Sequence, residues 1–230
     1  MNRLDKYLAA SGIGTRSEVK KYIRDCRVTV NGEIVRHADM KVDEDHDLVC
    51  FDGEPVSWSE FVYFMLNKPQ GYISATSGWD PNVLDLIAEP FRNLFPVGRL
   101  DKDTEGLLLI TNDGQLGHEL LAPKKHVEKE YYVEIDIPLS EEDIEQISRG
   151  ITYKDETYKP AVYKKISDTS FTLVITEGKY HEIKRMMLAL GSKVTYLKRL
   201  RMKDLVLDES LKPGEYRYLT EEEIASLKAI

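Results

Sequence analysis

Gly98-Arg99-Leu100-Asp101-Lys102-Asp103-Thr104-Glu105-Gly106-Leu107-Leu108 sets two basic residues and several carboxylates directly before an apolar run, Leu107-Leu108-Leu109-Ile110. The apolar run reads as a buried strand and the charged segment as the loop that feeds it. A carboxylate flanked by Arg99 and Lys102 can stay ionised even when partly desolvated, because nearby positive charge favours the anion. An ionised, desolvated carboxylate is a competent nucleophile. Asp101 is therefore either that nucleophile or a salt-bridged turn residue, with Asp103 and Glu105 as the other candidates.

Outward from this loop, strand signals recur. Val62-Tyr63-Phe64-Met65-Leu66 precedes it and stops at Asn67-Lys68-Pro69-Gln70-Gly71. Further strands are expected at Leu107–Thr111, Tyr131–Ile137 and Phe171–Thr176. Helices are expected at Gly114–Ala122, Glu141–Arg149, Tyr180–Leu190 and Glu221–Lys228, with a shorter one at Val83–Ala88. The two types intermix without strict βαβ alternation, which favours an α+β domain with a mixed, mostly antiparallel sheet over residues 62–230.

The first 57 residues read as a separate unit. Leu4, Tyr7 and Leu8 recur at helical spacing, and Ser11-Gly12 ends that helix. Thr15 and Glu18 form a capping box that opens a second helix. Val19, Tyr22, Ile23 and Cys26 make its apolar face, and Arg16, Lys20, Lys21, Arg24 and Arg27 spread over the rest. Val28-Thr29-Val30 and Ile34-Val35 flank Asn31-Gly32, a type I′ hairpin signal. Leu48-Val49-Cys50-Phe51 is a closing strand before the Asp52-Gly53 turn. Residues 56–61 read as a linker.

Composition narrows the function classes. Apolar and charged fractions of 42% and 31% fit a globular protein. No apolar run approaches the roughly 20 residues that span a bilayer, and the opening Met-Asn-Arg-Leu-Asp-Lys lacks an apolar leader. Cys26 and Cys50, the two cysteines, make no disulfide framework, so a reducing cytoplasm is the expected compartment. The net charge of −8 is unevenly spread: residues 1–36 carry eight Lys/Arg against four Asp/Glu, and residues 179–203 carry eight against Glu182 alone. Local basic patches govern nucleic-acid affinity more than the total does.

Cofactor and metal chemistry find no support. His181-Glu182-Ile183-Lys184-Arg185 begins like a zincin helix, but Arg185 stands where the second histidine must be. The five histidines and two cysteines show no ligand spacing. Gly12-Ile13-Gly14 lacks the third glycine of a dinucleotide fingerprint, and no Walker-type loop or Gly-x-Ser-x-Gly elbow occurs. Three segments stay in play: the Asp101 loop, Glu128–Val133, and Glu177–Met187. Each alone admits a structural role, as a surface salt bridge, ordinary strand packing or a solvated helix face.

Together these segments resemble a known family. Leu4 to about Pro55 is similar to the RNA-binding domain first described in the small-subunit ribosomal protein S-four, through R-L-D-K-Y-L, the opening at Gly12–Glu18 and V-x-V-N-G at Val28–Gly32. The remainder resembles the pseudouridine synthases of the ribosomal small-subunit type (the RsuA family). The motifs are Leu66–Tyr72, Gly98–Leu108, T-N-D-G at Thr111–Gly114, K-x-Y-x-V at Lys129–Val133, E-G-K-Y-H-E-I-K-R-M at Glu177–Met186 and L-K-P-G-E-Y-R-x-L-T at Leu211–Thr220.

The resemblance implies that the chain isomerises a uridine of small-subunit (16S) ribosomal RNA to pseudouridine without a cofactor or metal. Asp101 maps onto the essential aspartate, which could attack the sugar, add to the ring or abstract a sugar proton. Tyr131 maps onto a tyrosine that stacks on the uracil and could take the C5 proton. Lys184 maps onto the basic residue that pairs with the aspartate. Arg99 would support a flipped nucleotide. Arg16, Lys20, Lys21, Arg24, Arg27, Lys179 and Arg185 would contact RNA, supplying affinity more than sequence selection. The alternatives are a 23S rRNA synthase of the same superfamily and a non-catalytic ribosome-assembly factor. A partly assembled small subunit is a possible substrate, and a monomer is expected because no coiled-coil stripe or extended apolar face is present.

Overall fold

Thr15 opens its helix as the sequence pattern predicts. Its hydroxyl accepts the Glu18 N–H at 3.0 Å, and the Glu18 carboxylate accepts the Thr15 N–H at 2.7 Å. A cap of this kind contributes about 1 kcal/mol. The helix, α2 (Arg16–Arg24), follows α1 (Leu4–Ala10). Val19 and Ile23 on its inner face are fully buried in one cluster with Leu4, Tyr7, Leu8, Val28 and Val49. Burying each such aliphatic side chain stabilises the unit by about 1.5–3 kcal/mol.

The computed structural model describes residues 1–44, 46–56, 61–89, 91 and 93–229. Residues 57–60, the centre of the expected linker, lie outside the described residues. Two compact units are present: Met1–Val62 with Ala88–Leu94, and Tyr63–Ile87 with Phe95–Ile230.

In the first unit, Asn31 (φ 53°) and Gly32 (φ 84°) both take left-handed backbone, which a type I′ turn requires. Val28–Val30 accordingly pairs with Glu33–Ile34 on one side and with Val49–Phe51 on the other. Asp52 and Gly53 make a second turn with both φ positive. It adds Glu54–Pro55 as a further strand, where the sequence pattern suggested only a closing turn. Val56 belongs to this hairpin too, since its N–H donates to Val49 O at 2.8 Å.

The second unit is built on one mixed sheet. Its strands lie in the order Val162–Lys165, Ser170–Ile175, Lys129–Ile135, Val194–Met202, Glu105–Thr111, Tyr63–Lys68, Tyr216–Tyr218. Neighbours are antiparallel except Val194–Met202 against Glu105–Thr111, which are parallel. The sheet is mostly antiparallel, as expected. Tyr63–Lys68 is buried at every position and Glu105–Thr111 at all but its first residue, so both read as continuous apolar runs. Lys129–Ile135 alternates, with Lys129, Tyr131, Val133 and Ile135 on the buried face.

Four helices accompany the sheet: α3 (Gly114–Leu121), α4 (Glu141–Arg149), α5 (Glu182–Ala189) and α6 (Glu221–Lys228). Asp113 caps α3 through the Leu116 N–H and also accepts the Tyr63 hydroxyl at 2.7 Å. The expected helix from Tyr180 starts at Glu182 instead, because His181 sits at φ 52°, outside right-handed helical space. The short helix expected at Val83–Ala88 is a single 3₁₀ turn, Val83–Leu86. No helix among the described residues is long and apolar enough to cross a membrane.

Candidate active site

The loop before Glu105 is fastened from below by a buried lysine. Lys68, at the end of the fully buried strand Tyr63–Lys68, is 0% exposed. Its ammonium donates to Thr104 O at 2.8 Å, Asp101 O at 3.0 Å and Pro69 O at 3.0 Å. Burial depresses its pKa to about 8, with the charges of Asp103, Asp101 and Glu105 pulling the other way. Two more ties complete the loop: the Gly71 N–H donates to Lys102 O, and Ser74 Oγ both accepts from Leu100 N and donates to Leu100 O, at 3.0 Å each. The loop backbone is thus held at four residues, which leaves the Asp101 side chain free to project.

That side chain meets the start of α5. Lys184 Nζ lies 2.8 Å from Asp101 Oδ2 and 2.6 Å from Asp103 Oδ1. His181 Nε2 lies 3.4 Å from Asp101 Oδ1. Burial opposes the charge on Lys184, but the two carboxylates outweigh it and hold the pKa above the ordinary lysine value. The other two carboxylates of the loop are placed differently. Asp103 is 69% exposed against 27% for Asp101, and Glu105 accepts the Tyr196 hydroxyl at 2.6 Å. Asp101 alone of the three lines the cavity of about 60 Å³ that opens here, together with Arg99, Thr104, Tyr131, His181, Glu182 and Lys184.

Tyr131 lines this cavity and is 8% exposed. In the sheet it stands opposite Arg199, which in turn stands opposite Gly106. Arg199 is 2% exposed and donates its Nε–H to Leu107 O at 2.7 Å, while its Nη2 has no hydrogen-bond partner among the described residues. Burial pushes the Tyr131 phenol above its ordinary pKa, and the Arg199 guanidinium works against that rise. The net direction keeps the hydroxyl protonated at neutral pH, so Tyr131 offers a ring face and a donor rather than a ready base.

Two further ionisable groups, Glu182 and Lys129, are buried. Glu182 accepts the Lys179 N–H at 2.9 Å, and burial raises its carboxyl to about pKa 7 against the effect of that bond. Lys129 donates to Val127 O at 2.8 Å, and burial, reinforced by Arg199, lowers it to about pKa 8. Lys68 and Arg199 were not singled out by the sequence patterns, and His181 and Glu182 entered only as the opening of a zinc-binding helix that Arg185 rules out. Each sits inside a quoted motif or basic run, and nothing in one-dimensional spacing shows that it is buried.

The expected RNA contacts divide into two groups. Arg16, Lys20, Lys21 and Arg24 are exposed on α2 with no ion pair among the described residues. Arg99 is likewise exposed at the cavity mouth. Arg27 instead forks onto both oxygens of Asp52 and lies over the Tyr22 and Phe51 rings at 4.7 and 4.6 Å. Arg185 donates to Glu156 at 2.7 Å and covers the Tyr180 ring. Lys179 donates to Thr157 O at 2.5 Å yet still lines the cavity. Among the described residues no group of three or more His, Cys, Asp or Glu could hold a metal ion.

Known proteins are similar to this one over nearly the whole chain. Residues 62–189 match the RNA pseudouridylate synthase family, and residues 2–49 match the S4 domain. A Bacillus subtilis (strain 168) protein named uncharacterized RNA pseudouridine synthase YtzG is 49% identical over 231 residues, covering 96% of each chain. Ribosomal small subunit pseudouridine synthase A of Escherichia coli (strain K12) is 46% identical over 230 residues, 98% of this chain and 99% of that one. A crystal structure of a pseudouridylate synthase superposes with a TM-score of 0.70 at 42% identity, covering 99% of this chain and all of that one. The chain belongs to the RNA pseudouridylate synthase family, in its RsuA-type branch with an N-terminal S4 domain, and is a pseudouridine synthase.

Proposed function

We propose that this synthase converts one uridine of small-subunit ribosomal RNA to pseudouridine, with Asp101 as the essential carboxylate. The reaction breaks the N1–C1′ bond of the nucleotide and forms a C5–C1′ bond. The C5 proton leaves and a proton is taken up at N1, so nothing is consumed. The observation that carries this reading is the pairing of Asp101 with Lys184 at 2.8 Å in the cavity that Tyr131 also lines. Attack on the sugar, addition to the ring and abstraction of a sugar proton all need a carboxylate at that place.

A base inside folded RNA must be extruded before it can enter such a cavity, at a cost of a few kcal/mol. Stacking on Tyr131 offsets this by about 1–3 kcal/mol. Exposed Arg99 at the mouth is suited to hold the phosphate of the flipped nucleotide. Lys184 supplies the counter-charge for Asp101, and Lys68 fixes the loop so that little reorganisation is needed during reaction. The basic face of α2 supplies affinity through phosphate contacts. The small-subunit target is supported by the full-length similarity to a protein named for that substrate.

The test maps pseudouridines in both ribosomal RNAs from a strain lacking the gene, complemented with wild type or with Asp101→Asn. The expected result is one small-subunit site that wild type restores and Asp101→Asn does not, with RNA binding by the variant retained. Loss of a large-subunit site alone would move the substrate to 23S RNA. Full restoration by Asp101→Asn would refute the catalytic assignment.

A further inference from the structure

A second cavity, of about 440 Å³, adjoins the Asp101 cavity and shares Arg99, Gly178 and Lys179 with it. Its walls are the end of α3 and the following turn (Leu120, Leu121, Pro123) together with Val127. Leu121 is 44% exposed there, an apolar side chain left open on a charged surface. Lys129 lines the cavity as well. It is 7% exposed, and among the described residues Val127 O is the one acceptor of its three N–H groups. A buried ammonium with donors to spare, set in an apolar slot, is arranged to receive an acceptor on the edge of a flat apolar group.

We propose that this cavity holds the base of the nucleotide immediately next to the target uridine, its face against Leu121 and Pro123 and an acceptor of its edge on Lys129. The inference rests on the activity proposed above, because that activity puts an RNA strand across Arg99. Continuity with the Asp101 cavity limits the occupant to the same strand. Charge selects nucleic acid: exposed Arg99, Lys124 and Lys125 carry no ion pair among the described residues, whereas the nearby acid, Glu177, is already within 4 Å of Lys159 and Lys179. A base clamped beside the flipped uridine would also keep the gap in the stack open, since a neighbour that is itself unstacked cannot close over the vacancy.

The full-length chain carrying a photo-crosslinking phenylalanine analogue in place of Leu121 is irradiated with ribosomal RNA, and crosslinks and pseudouridines are mapped on the same molecules. The crosslink is expected on the nucleotide directly 5′ or 3′ of the pseudouridine. RNA made abasic at that nucleotide should bind wild type with a Kd raised about 10-fold or more. The penalty should shrink to under about 3-fold in Leu121→Glu and in Lys129→Met, because the base no longer has its site. Crosslinks only to distant nucleotides, no RNA crosslink at all, or an abasic penalty unchanged in both variants would overturn the subsite. Crosslinked RNA in which no pseudouridine forms would count against the activity instead, and the Kd comparison would still decide the cavity.

Discussion

At the scale of single residues, one ammonium serves two carboxylates. Lys184 sits between Asp101 and Asp103, so removing it leaves two like charges two residues apart with no cation between them. Lys184→Met is expected to lower kcat/KM by about 10²-fold, the usual cost of losing one electrostatic partner in a preorganised site. RNA Kd should move by less than about 3-fold; an equal loss in both would make Lys184 an RNA contact only. Glu182 gives a pH signature. Its folded pKa of about 7 stands above the ordinary 4.5, so its contribution is complete below pH 4.5 and is lost as pH rises through 7. That loss amounts to at most roughly 3 kcal/mol. Glu182→Gln keeps the acceptor for the Lys179 N–H and does not titrate. It should therefore gain stability over wild type at pH 8 relative to pH 4.5, read by urea unfolding at both values; parallel curves would exclude a buried neutral Glu182. Asp101, Tyr131 and Lys184 were singled out through the family resemblance of the runs they lie in, and the structure brings the three to one cavity. Lys68 and Arg199 were not, because Lys and Arg are almost always exposed and only the folded sheet shows them buried.

At the scale of elements, legibility followed local chemistry. Ser140 and Thr220 cap their helices as Thr15 does, and the helix after Thr15 was readable because its cap is written within four residues. The Asn31-Gly32 hairpin was readable for the same reason. The strand Val194–Met202 was not expected, although it joins the two halves of the sheet. Its Lys198, Arg199 and Arg201 look like a solvated run, and its burial comes from partners far away in sequence. Its one parallel contact depends on Gly106. That residue has φ 100°, and a Cβ there would lie 2.2 Å from Arg199 O and 2.8 Å from Arg199 N. Both obstacles are backbone, so neither can rotate away. Gly106→Ala should cost at least about 2 kcal/mol of stability, and it should displace Arg199 from Tyr131 and the loop that carries Asp101. A urea midpoint like that of wild type would show that the parallel pair tolerates the shift.

At the scale of the whole molecule, the proposed function assigns affinity and chemistry to different residues. A protein of net charge −8 binds a polyanion only if its cations are collected locally. The exposed face of α2 does this with Arg16, Lys20, Lys21 and Arg24, none of which is neutralised by an ion pair among the described residues. Phosphate contacts of this type raise affinity for any RNA and release counterions as they form, so their signature is a salt slope and not a preference for one base. The triple substitution Lys20→Ala, Lys21→Ala, Arg24→Ala leaves Val19 and Ile23 in the core and replaces exposed residues with a good helix former. The unit should stay folded while the slope of log K against log salt falls by about 2–3. Because Asp101, Tyr131 and Lys184 are untouched, turnover at saturating RNA should stay within about 2-fold of wild type, with the whole defect in KM. An unchanged salt slope would mean that RNA does not lie along α2. A fall in saturated turnover would mean that this helix also sets how the target uridine is presented to Asp101.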